Sequence, residues 1–93
     1  MAHTFEELVL MQSAADEAHT AVGQLQDQYG PPTQTAWTDE QQTSWETAWR
    51  VWRGLADDVQ AAVTAHAKEQ GAARHQVEAD VKKAARHPDL VAG

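Results

Sequence analysis

Large apolar residues in this chain recur at steps of three and four, not two. Leu8, Met11, Ala15, Ala18, Val22, Leu25 and Tyr29 make one such series, a heptad-like stripe held for three repeats that marks a helix with one buried face. Thr4, with Glu7 three residues on, forms a capping box at its start, hydroxyl and carboxylate each taking an amide that the first turn leaves free. Gly30, Pro31 and Pro32 end it, because glycine accepts the left-handed conformation after a last turn and proline lacks an amide donor. The pattern predicts a helix over about 5–29 and a connection over 30–38.

Thr38 and Gln41 repeat the capping box, and a second stripe follows: Trp45, Ala48, Trp52, Leu55, Val59, Ala62 and His66, widened on one side by Trp49, Ala56 and Val63. The predicted helix, about 39–70, is ~48 Å long and its predecessor ~37 Å. Joined by a short connection, the two should lie antiparallel. Gly71 breaks the pattern, and Val77, Val81 and Ala84 restart it as a short helix over about 73–87. Pro88 should stop that helix and leave residues 88–93 frayed. The expectation is a single all-α domain, a long antiparallel helical hairpin plus a short C-terminal helix. On the outer face Glu46 with Arg50, and Arg53 with Asp57, are spaced for ion pairs one turn apart.

Composition makes the core thin. Of the 42% hydrophobic residues, 18 are Ala, while Leu, Val and Phe total 14 and Ile is absent. A lone hairpin would bury too little to offset chain entropy comfortably, so pairing of two stripes into a homodimer is expected. Ala15 and Ala18 leave room in the first stripe for something large, and Trp45 and Trp52 are expected to fill it as core. Trp49 on the flank and Trp37 in the connection are balanced between core and surface.

Four Trp within sixteen residues, Trp37, Trp45, Trp49 and Trp52, are the densest chemical signal in the chain. They make the candidate interaction surface, since indoles give large contact area at small entropic cost. The five His do not cluster or pair one turn apart, and there is no Cys, so no metal site is expected. Adjacent carboxylates such as Asp57–Asp58 diverge by about 100° on a helix and cannot converge on a substrate. No phosphate loop or nucleophile motif is present. Neither an enzyme, a cofactor nor a small-molecule substrate is expected.

The net charge of -7 is unevenly placed: residues 1–49 hold eight acids and no base, whereas 50–93 sum to +1. That balance argues against nonspecific binding of nucleic acid. It also suggests that the C-terminal segment is drawn to the first helix, its own or a neighbour's. Apolar runs are far shorter than the ~20 residues needed to cross a bilayer, so no membrane span is expected. The first basic residue is Arg50, which leaves no basic start for a signal peptide. The cytoplasm is the default location, with type VII export left open.

Two resemblances add to this. The segment AWTDEQQTSWETAWRVW resembles the turn and second helix of the Trp-x-Gly family of small helical hairpins exported by type VII secretion, with Trp37 in the place of the motif Trp and Asp39 where the family has Gly. The resemblance implies a hairpin dimer packed as a four-helix bundle. The segment HAKEQGAARHQVEADVKK is similar to a helix-turn-helix, with Ala67, Gly71 and Val77 at its small, turn and core positions. That implies DNA contacts from Arg74, His75, Gln76, Lys82 and Lys83, although Glu78 and Asp80 would face the phosphates. The function expected is protein–protein interaction or self-assembly, with DNA binding through residues 67–83 and a Trp-x-Gly-like type VII secretion substrate as the alternatives.

Overall fold

The computed structural model describes residues 3–31 and 36–87, and among them the chain forms α1 (Phe5–Tyr29), α2 (Asp39–Gln70) and α3 (Arg74–Arg86) with no strand. The fold is all-α, two long helices and a short C-terminal one. The expected roles of Pro32 and Pro88, part of the connection and the tail 88–93 lie outside the described residues.

Both long helices begin at their capping boxes. The Glu7 amide donates to Thr4 Oγ1 at 3.1 Å and the Thr4 amide to Glu7 Oε1 at 3.1 Å. The Gln41 amide donates to Thr38 Oγ1 at 3.1 Å and the Thr38 amide to Gln41 Oε1 at 2.9 Å. The Thr4 backbone amide, with help from His3, holds the Glu7 carboxyl below its ordinary value. Helix ends use glycine where φ turns positive: Gly30 (φ 75) donates to Gln26 O, and Gly71 (φ 63) lets Ala72 close back on Ala67 O at 2.9 Å.

The hairpin is antiparallel, as its cross-contacts show. His66 Nδ1–H donates to His3 O at 2.8 Å, His19 meets Trp52 at 4.9 Å between ring centroids, and Tyr29 meets Trp37 at 5.5 Å. α3 then folds back into the groove between α1 and α2. Ala73 gives it no side-chain cap, and Arg74 anchors its start instead. The guanidinium donates to Thr64 Oγ1 and Glu78, each at 2.9 Å, and to Gln60 Oε1. At the far end Arg86 grips the Asp16 carboxylate with two bonds, 3.0 and 3.1 Å. Acid on the first helix and base on the last meet within one chain.

Between these ends Val77, Val81 and Ala84 face inward. Leu8, Val63 and Val81 are the largest fully buried side chains, joined in one cluster by Ala15, Val59, Ala62, Ala67 and Val77, with Phe5, Met11 and Leu55 packed at its edge. The core therefore sits at the end of the hairpin away from its connection.

Two expectations need correcting. Trp45 and Trp52 are half-buried and stand outside this cluster; Ala15 is covered by aliphatic side chains, because α3 brings its valines into the groove where indoles were expected. The two spaced ion pairs give way to other contacts: Arg53 lies 5.1 Å over the Trp49 ring, and Glu46 accepts from Gln42 at 3.1 Å.

Since Leu8 is fully buried and Leu10 is 70% exposed, Leu8→Ala should cost about 2–5 kcal/mol and Leu10→Ala within about 0.5 kcal/mol. Urea melts followed by circular dichroism at 222 nm check the contrast.

Candidate interaction face

On α2 the residues Trp45, Trp49, Trp52, Ala56, Val59, Val63 and Ala67 follow one another at steps of three and four and make one ridge. α3 lies along the C-terminal part of that ridge. It is 13 residues long against 32 for α2, ~20 Å against ~48 Å, so the groove runs on past its end. The uncovered stretch is lined with aromatic rings.

Those rings touch in sequence. Tyr29 meets Trp37 edge-on, Trp37 meets Trp45 at 5.8 Å and 61°, Trp45 stacks toward Trp49 at 6.4 Å and 24°, and Trp49 meets Trp52 at 6.4 Å and 66°. All four expected Trp thus stand together in one half-buried ladder. Aromatic pairs at such distances and tilts add roughly 0.5–1.5 kcal/mol each beyond burial, which holds the ladder ordered without a third helix over it. Trp37 Nε1 donates to Gly30 O at 2.8 Å. Trp45 Nε1 is shut off from solvent and finds no acceptor among the described residues. Such a donor ordinarily costs free energy.

No family model, curated protein or solved structure matches the chain. The site is therefore argued from its own geometry.

Where α3 ends, a cleft of about 230 Å³ opens between Trp52, His19, Asp16 and Arg86. Gln12 is buried at its floor and donates to Asp16 Oδ1 at 2.9 Å. The periodicity reading left Gln12 and the Asp16–Arg86 pair unnamed; the one signal for the pair was the charge asymmetry between the two ends of the chain. The bonds from Arg86, and then from Gln12, hold the Asp16 carboxyl below its ordinary value against a desolvation cost.

The residues offered as alternative DNA contacts all lie on α3. Arg74 and Lys82 both bond Glu78, at 2.9 and 2.7 Å, and the Lys82 ammonium in turn keeps the Glu78 carboxyl low. Gln76 donates to Asp80 at 2.9 Å, while His75 and Lys83 are exposed. Among the described residues no three His, Asp or Glu side chains converge as a metal site, and no helix is long and apolar enough to cross a membrane.

The Asp16–Arg86 pair gives a pH dependence of known sign. A carboxyl whose folded value lies below its ordinary 3.8 stabilises the fold above that pH and loses the contribution as pH falls through the folded value. Arg86 is 52% exposed, so a double-mutant cycle of Asp16→Asn and Arg86→Gln should give about 0.5 kcal/mol or less of coupling at neutral pH. The same cycle should give progressively less coupling as pH is lowered below 3.8.

Proposed function

We propose that the protein is a non-enzymatic interaction module whose Trp-lined groove docks a helix, and that its occupant is a second copy of the chain, making a homodimer. The observation that carries this is the mismatch between a hairpin groove and a third helix less than half as long as α2. Pairing the uncovered halves of two hairpins would bury the Trp49 and Trp52 faces against each other and extend a helical bundle past α3. Indoles at the centre of a dry contact are the residues that most often dominate association energy.

DNA binding through residues 67–83 has less support. Two of its five candidate contacts are held by Glu78, and the chain as a whole repels phosphates.

Sedimentation equilibrium at micromolar concentration should show a dimer. Trp49→Glu should raise its dissociation constant by at least ~10-fold while leaving helicity unchanged. A compact monomer of undiminished helicity in the parent chain overturns the reading. A mobility shift of random-sequence duplex at physiological salt, abolished by Lys82→Glu with Lys83→Glu, would establish the DNA-binding alternative.

A further inference from the structure

At the tip of the hairpin, beyond the ladder's centre, a cleft of about 530 Å³ opens between the end of α1 and the start of α2, with Gln26, Asp27, Gly30, Trp37, Gln42 and Trp45 among its walls. Its aromatic side is pre-set. Trp37 is tied to Gly30 O through Nε1 and wedged between Tyr29 and Trp45, so its donor is used up and its carbon edges and faces are what a ligand meets. The Trp37 and Trp45 planes incline at 61°, two walls of a wedge.

Charge decides what such a wedge would hold. Among the described residues Asp27 is the only ionisable group lining it. Residues 26–49 carry Asp27, Asp39, Glu40 and Glu46 with no Lys, Arg or His. α1 directs the carbonyl end of its dipole here and has no basic residue in its last turn. The opposing positive end of α2 is met by Asp39 and Glu40 in its own first turn. An anion would be repelled by Asp27, and a neutral apolar group would gain nothing from it. A cation gains from both the π faces and the carboxylate.

We propose that the tip cleft is a binding site for a compact organic cation, a guanidinium or alkylammonium group, held against Trp37 and Trp45 with Asp27 as counter-charge. The molecule already uses this contact once, where the Arg53 guanidinium lies over Trp49. The site is complete in one chain and does not rest on self-association.

The test reads the indole N–H signals of ¹⁵N-labelled protein, assigned by single Trp→Phe variants. Titrants are tetramethylammonium chloride and N-acetyl-argininamide, against sodium chloride at equal ionic strength and the uncharged isostere 3,3-dimethylbutanol. Saturable shifts of Trp37 and Trp45, with Trp52 unmoved, are expected for the cations alone. Asp27→Asn, a change on the exposed face of α1, should weaken binding by about three- to fivefold with helicity intact. Tighter binding of the argininamide would identify the source as a protein side chain, and tighter binding of tetramethylammonium a free methylated amine. Shifts no different from the sodium chloride control, equal binding of the uncharged isostere, or indifference to Asp27→Asn would each overturn the proposal. Sedimentation of the same samples reports self-association separately, so either idea can fail alone.

Discussion

The seating of α3 in the groove of the hairpin is the contact on which the rest depends. Alanine dominates the apolar content of this chain, and two alanine-rich helices facing each other exclude little water. Val77 and Val81 change that by closing over Leu8, Val59 and Val63, each large side chain contributing roughly 1.5–3 kcal/mol once fully buried. Polar clamps hold the helix in register at both ends, Arg74 on Gln60, Thr64 and Glu78, and Arg86 on Asp16. The valines supply most of the stabilisation. The clamps specify where along the groove they sit.

Because α3 is short, the hairpin has two unlike halves, and the overall shape, 50 × 28 × 18 Å, is elongated. One half is a three-helix bundle with an aliphatic core. The other is a two-helix ribbon whose groove is lined by indoles in mutual contact. Broad aromatic rings can partly cover one another where small aliphatic side chains would need a third helix, so the Trp residues keep the ribbon ordered while remaining half-exposed. Stability and the proposed interaction are thus divided along the same groove.

Electrostatics follows the same division. Among the basic residues of the C-terminal segment, Arg74, Lys82 and Arg86 are spent on contacts to Glu78 and Asp16 within the chain. The tip of the hairpin keeps its acids without a base among them. A surface that is negative at one end repels phosphate and attracts positive charge, whatever the overall fold.

What the amino-acid order determined by itself is whatever acts within about four residues. The starts at Thr4 and Thr38, the glycine stops at Gly30 and Gly71, and the inward faces of α1, α2 and α3 are all local in this sense, since capping bonds and helical periodicity need no distant partner. The tertiary structure decided what depends on three helices meeting. Ala15 marked a gap in the first stripe, but two candidates were available to fill it, indoles from α2 or valines from a helix some sixty residues on. Periodicity is silent on that choice, because both lie on apolar faces. Arg86 and Asp16, 70 residues apart, likewise show in the sequence only as opposite charge at opposite ends. They meet only because α3 packs its valines into the groove and ends beside α1. Such lateral placement follows from the packing of whole helices against one another, which no window of sequence contains.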